Sequence, residues 1–94
     1  MKILLVDDVS TNRKLLRWML EESDHDIIEA SNGEEGLAFF YTEKPDLILL
    51  DIVMPGIDGY EVARIIKKYT GDAYVPIIFI TAINDDDALT KCLA

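Results

Sequence analysis

At 94 residues the chain holds one domain at most, and with half of its residues hydrophobic it can bury a core. Charged residues reach 29% without low-complexity runs, which excludes disorder, and 18 Asp and Glu against 9 Lys and Arg give a net charge of -9 that disfavours nucleic acid and anionic lipid as partners of this segment. The single cysteine, Cys92, excludes an internal disulfide, the apolar runs are too short to span a bilayer, and Met1-Lys2 leads straight into a strand-like run without a signal-peptide pattern, so the chain reads as cytoplasmic.

Ile3-Leu4-Leu5-Val6 is a short apolar run that ends in Asp7-Asp8 and suits a parallel strand buried on both faces. Ser10 to Glu22 is predicted helical, with Leu15, Leu16, Met19 and Leu20 as its apolar stripe and Trp18 as half-buried packing beside it. Arg13, Lys14 and Arg17 fall largely away from that stripe and are expected to be exposed. His25 lies in the turn Ser23-Asp24-His25-Asp26 and reads as solvated. Ile27-Ile28-Glu29-Ala30 is a second strand. Ser31-Asn32-Gly33-Glu34 has the form of a capping box, in which the Ser31 hydroxyl accepts an early helical N–H and Glu34 reaches back. The helix it opens runs to Glu43 and is stopped by Pro45.

Leu47-Ile48-Leu49-Leu50 is the most apolar strand and ends on Asp51. Met54 to Gly59 is a loop by its turn residues. Asp58 caps the next helix with Glu61 three places on; Val62, Ile65, Ile66 and Tyr69 line its inner face, and Gly71 and Asp72 close it. Pro76 to Thr81 is a fourth strand. Asn84 to Ala94 begins a fourth helix, with Leu89 and Leu93 on one side and Asp85-Asp86-Asp87 favouring its dipole. Strands alternating with helices predict an α/β fold: a doubly wound parallel sheet with right-handed crossovers and helices on both faces. Such sheets bind ligands beyond the carboxyl ends of the strands, where the strand order reverses.

Asp7, Asp8 and Asp51 all stand at strand ends. If strands one and three are neighbours, the three carboxylates converge, and each raises the others' affinity for protons. A hard divalent cation relieves that cost, and Mg²⁺ prefers a few carboxylates with several waters retained. The fourth strand ends on Thr81, whose hydroxyl could donate to a bound oxyanion, and Ala82 leaves room beside it. An acidic cluster with a metal and a hydroxyl donor suits phosphoryl transfer. Each Asp taken alone reads equally as a turn or helix cap, and Asp7 or Asp8 could simply cap the first helix; the joint placement points to a site.

Lys2 to Asp8 (KILLVDD), Leu47 to Glu61 (LILLDIVMPGIDGYE) and Pro76 to Ala82 (PIIFITA) resemble the first strand with its acidic pair, the phosphorylation-site loop and the switch strand of the receiver domains of two-component response regulators. The resemblance runs along the whole chain. It implies a flavodoxin-like sheet in the order 2-1-3-4. It implies Asp51 as the nucleophile that takes a phosphoryl group from a phosphohistidine of a histidine kinase or histidine phosphotransfer protein. It further implies direct Mg²⁺ ligation by Asp8, Asp51 and the backbone carbonyl of Val53, with Asp7 acting through water. Thr81 is then the switch hydroxyl, beside Ala82. The acyl phosphate is hydrolysed slowly by the domain itself, and Val53 and Ile83 occupy the positions that tune its lifetime. The implied role is a phosphoacceptor regulatory domain, not an enzyme in the ordinary sense, that controls an output.

The family also has a fifth strand, ending in a lysine before a proline, and a fifth helix, with no counterpart before Ala94. Lys91, on a helix, is not expected to replace that lysine, nor are Lys67 and Lys68. Residues 1–94 are therefore expected to form a receiver domain incomplete at its C-terminal side. Ile77 to Ile80 would be an open apolar edge inviting self-association, segment swapping or low stability. Two other classes compete. One is a non-switching interaction or assembly module with impaired phosphorylation. The other is a metal-dependent phosphohydrolase, which needs a general acid two residues after its nucleophile, where Val53 cannot serve. Arg13, Lys14 and Arg17 read as surface charge or as part of a kinase-docking face, and Cys92 as packing.

Overall fold

Alternate residues of the first and third strands enter opposite cores, and this accounts for their unbroken apolar runs. The computed structural model describes residues 1–22, 24–71 and 75–80. They form β1 (Lys2–Val6), α1 (Ser10–Glu21), β2 (Asp26–Ala30), α2 (Gly33–Glu43), β3 (Leu47–Asp51), α3 (Gly59–Thr70) and β4 (Ile77–Ile80). The strands make one parallel sheet in the order β2-β1-β3-β4, as expected. Leu4, Val6, Ile48 and Leu50 point to one face and pack with Phe40 of α2 and Val62, Ala63 and Ile66 of α3. Ile3, Leu5 and Leu49 point to the other and meet Leu16 and Leu20 of α1. The expected fourth helix, together with Thr81, Ala82, Ile83, Lys91 and Cys92, lies outside the described residues.

Register carries the fold's one functional instruction. Val6 pairs with Leu50, so the residues that follow, Asp7 and Asp51, leave neighbouring strands at the same level. Asp51 in turn pairs with Ile80 of β4. After Asp51 the chain turns tightly, and the N–H of Gly59 at the start of α3 donates to the carbonyl of Ile52 at 2.8 Å. A Cβ on Gly59 would collide with the Asp51 carbonyl oxygen and approach the Ile52 Cα to 2.8 Å. Only glycine lets the helix start this close to the strand end.

Several local expectations are corrected. The second helix is not capped by Ser31. Asn32 is the cap, its side chain accepting from the Glu35 N–H at 2.7 Å, while Glu35 (not Glu34) reaches back to the Ser31 N–H at 3.1 Å. The box is displaced by one residue because the run Ser31-Asn32 followed by Glu34-Glu35 offers it two frames. In α1 the line resting on the sheet is Leu16–Leu20; Leu15 and Met19 are exposed, and Trp18 is 65% exposed where half-burial was expected. Arg13 lies three residues before Leu16 and so shares its side of the helix. Arg13 and Arg17 are not free surface cations, because both pair with Glu29 of β2. In α3 Ala63, not Tyr69, completes the buried face; Tyr69 is 66% exposed and stacks edge-on with Tyr41 at 4.8 Å. His25 is half-buried, and its Nδ1 is buried without a hydrogen-bond partner among the described residues. The cap by Asp58 on the Glu61 N–H, at 2.9 Å, is as expected.

Two stability measurements check these assignments. Gly59→Ala is expected to lower the urea-unfolding free energy by about 2–3 kcal/mol, because backbone must shift to admit the methyl group. Asn32→Ala is expected to cost about 1 kcal/mol and Ser31→Ala less than about 0.5 kcal/mol; the reverse ranking would restore the Ser31 cap.

Candidate functional site

Three carboxylates meet at the carboxyl ends of β1 and β3. One oxygen from each of Asp7, Asp8 and Asp51 lies within 4.8 Å of the others, the only such acidic cluster among the described residues. Asp7 is 3% exposed and Asp51 5%, whereas Asp8 faces solvent. The cluster therefore has a closed floor and one open side.

Each group is held by its neighbourhood. The N–H of Asp7 donates to the Ala30 carbonyl at 3.1 Å, so Asp7 extends the pairing of β1 with β2 by one bond. Its Oδ1 accepts from the Val9 N–H at 2.9 Å, which turns the chain toward α1. Neither Asp7 nor Asp8 is the cap of that helix: Val9 is the cap residue, and its own side chain makes no capping bond. The carbonyl of Asp7 accepts from Arg13 Nη1 at 2.6 Å. The backbone N–H of Val53, two residues on, favours the charged form of the Asp51 carboxyl.

Electrostatics sets what this arrangement can hold. Burial first, then the charge of Asp7 and the proximity of Asp8, pushes the Asp51 carboxyl up to about 7, against the pull of the Val53 N–H. Burial raises the Asp7 carboxyl as well, and its bonds from the Val9 N–H and the Asn12 side chain oppose that. Among the described residues none of the three forms an ion pair with a basic side chain. The cluster thus has no side-chain counter-charge among the described residues. Three oxygens this close, one side open to water, fit a hard divalent cation that keeps part of its hydration, and Mg²⁺ matches that donor set.

The three acids expected to converge do lie together, whereas the Val53 carbonyl, implied by the resemblance, is not one of the groups of that cluster. Sequence reasoning missed Arg13, which donates to the Asp7 carbonyl, and Asn12, whose side chain favours the charged form of Asp7. The spacing of Arg13 from Leu16 carried the signal for the first. Thr81 and Ala82 lie outside the described residues.

Comparison with known proteins bears on this geometry directly. Protein PilH of Pseudomonas aeruginosa is 41% identical over 85 residues, which cover 90% of this chain and 70% of PilH. The probable transcriptional regulator ycf27 of Guillardia theta is 45% identical over 84 residues, 89% of this chain but 32% of that protein, so the chain spans about a third of that relative's length. The structure of response regulator protein TrrA from Thermotoga maritima, in complex with Mg²⁺-BeF, matches with a TM-score of 0.78 at 34% identity, covering 98% of this chain and 95% of TrrA. The family described as the response regulator receiver domain matches residues 3–94. With this sheet order and the acidic cluster at the ends of β1 and β3, the chain belongs to the response regulator receiver domain family of two-component signalling.

Proposed function

We propose that the chain accepts a phosphoryl group on Asp51 from the phosphohistidine of a histidine kinase or histidine phosphotransfer protein, with Mg²⁺ bound at Asp8 and Asp51, and thereby controls an output. The observation that carries this reading is the cluster itself: a nearly buried Asp51 within 4.8 Å of two further carboxylates at the mouth of the sheet. The complex of TrrA with Mg²⁺-BeF supports it from a related protein.

In the proposed reaction an Asp51 oxygen attacks the phosphorus, a P–O bond forms and the P–N bond to the imidazole breaks. The bonding pair stays on the imidazole nitrogen, which takes up a proton, and the product is an acyl phosphate. Bound Mg²⁺ supplies neutralisation of the carboxylates and of the transferred phosphoryl oxygens. Asp8 and Asp51 would hold it directly, together with the Val53 carbonyl, and Asp7 would act through water. Thr81 donates its hydroxyl to a phosphoryl oxygen, with Ala82 leaving space for it. Val53 and Ile83 are apolar and cannot orient an attacking water, so the acyl phosphate is hydrolysed slowly. No described helix is long and apolar enough to cross a membrane, and we place the reaction in the cytoplasm with its phosphohistidine donor.

Incubation with Mg²⁺ and a small acyl-phosphate donor is expected to add one phosphoryl group, read by intact mass. Asp51→Asn or chelation of Mg²⁺ should abolish it, and an adduct that survives Asp51→Asn would contradict the assignment. In metal-free buffer at pH 8, Asp51→Asn is also expected to stabilise the fold by about 1–3 kcal/mol, because it removes a charge that burial and Asp7 disfavour. A thermal melt in which the variant unfolds below the unsubstituted protein would refute that repulsion.

A further inference from the structure

We propose that Arg13 is a positioning residue for the acidic site, holding the peptide between Asp7 and Asp8 against β2 so that Asp8 is aimed at the cation. The proposal rests on the reading of the cluster as a Mg²⁺ site.

Arg13 is placed for this by the first turns of α1. Its Nη1 donates to the Asp7 carbonyl at 2.6 Å, and its Nε lies 3.4 Å from Oε1 of Glu29. The side chain is 16% exposed, so the contact is made under cover rather than in bulk water. Glu29 is held on its other oxygen by Arg17 Nη1 at 3.0 Å, and Arg17 Nε pairs with Glu21 at 3.0 Å. The chain of contacts runs from α1 through a strand of the sheet to the loop that carries the acids.

The bond ends where orientation matters. A peptide carbonyl cannot turn without turning the plane that carries the next residue's N–H. The Asp7 carbonyl belongs to the peptide that delivers Asp8. Asp7 is otherwise tied by its N–H to Ala30 and by its Oδ1 to Val9. Arg13 fixes the remaining backbone group. A guanidinium suits the task because its planar fork serves the carbonyl and Glu29 together, which a single ammonium does less well. Glu29 also offsets the positive charge, so Arg13 can stand near a cation site without strongly opposing the cation.

Charge and geometry give opposite signs, and this makes the proposal testable. If Arg13 acted only through its charge, removing it from a chain of net charge -9 would tighten binding of a cation. If it positions Asp8, removal weakens binding. The experiment is calorimetric titration of the 94-residue chain with Mg²⁺, together with the amide resonance of Asp8 in the metal-free protein, for the unsubstituted chain, Arg13→Met and Arg13→Lys. Arg13→Met is expected to weaken Mg²⁺ about tenfold, with a displaced Asp8 amide, and Arg13→Lys to fall between it and the unsubstituted chain. Unchanged or tighter Mg²⁺ binding by Arg13→Met overturns the proposal, whatever the amide does. If the unsubstituted chain binds no Mg²⁺, the metal reading fails, and the Asp8 amide of Arg13→Met alone decides whether Arg13 holds the peptide. Should Arg13→Met not fold, Arg13→Lys decides: a loss of about threefold or more with a displaced amide supports positioning, and unchanged values overturn it.

Discussion

Three carboxylates held against one another at the end of a parallel sheet are the constraint around which the rest of the molecule is arranged. Within 4.8 Å, and with two of the three almost fully buried, they repel one another and lose hydration together. A flexible loop would relieve that by moving apart. Here two of the acids directly extend strands that cannot move apart, because β1 and β3 are adjacent, in register and covered on both faces. Ile3, Leu4, Leu5, Val6, Ile48 and Leu50 are each at most 1% exposed, and a fully buried side chain of this kind stabilises a fold by about 1.5–3 kcal/mol. Their burial outweighs the repulsion at the strand ends. A cation bound at this place would relieve that repulsion.

The surroundings of the cluster follow from the same demand for rigidity. On the β1 side, Ala30, Val9 and Arg13 fix Asp7 at three separate groups. On the β3 side the chain folds back at once, with Met54 buried in the core and Gly59 packed against the backbone of Asp51 and Ile52. Ile57 of this loop packs against the core shared by α2 and α3. Asp8 alone of the three acids is open to water.

Much of this was legible in the sequence because it is written in strong, local signals. The uninterrupted apolar runs of β1 and β3 suit strands covered on both faces, and the acids at their ends mark the carboxyl edge. The strand order itself came from the likeness of three segments to a known family, not from periodicity. What escaped reading depended on choices that one-dimensional patterns do not make. Ser31 and Asn32 cap equally well and are followed by two glutamates, so the frame of the cap is decided by the chain's path out of β2. The stripe of α1 shows which residues are apolar but not which pair rests on the sheet; once Leu16 and Leu20 do, Trp18 is turned outward and Arg13 inward. Tyr69 was read as core by spacing alone, yet the smaller Ala63 fits the close approach of α3 and the ring is left to stack on Tyr41.

Asp51, proposed as the phosphoacceptor, is tested most directly by identifying the atom that carries the phosphoryl group. The chain would be phosphorylated in Mg²⁺ from a small acyl-phosphate donor, reduced with borohydride and digested for peptide mass analysis. An acyl phosphate on an aspartate is reduced to homoserine, so a homoserine at position 51 and at no other is the expected result. Reduction at the position of Asp7 or Asp8, or a phosphoryl group that resists borohydride on another kind of side chain, would contradict it.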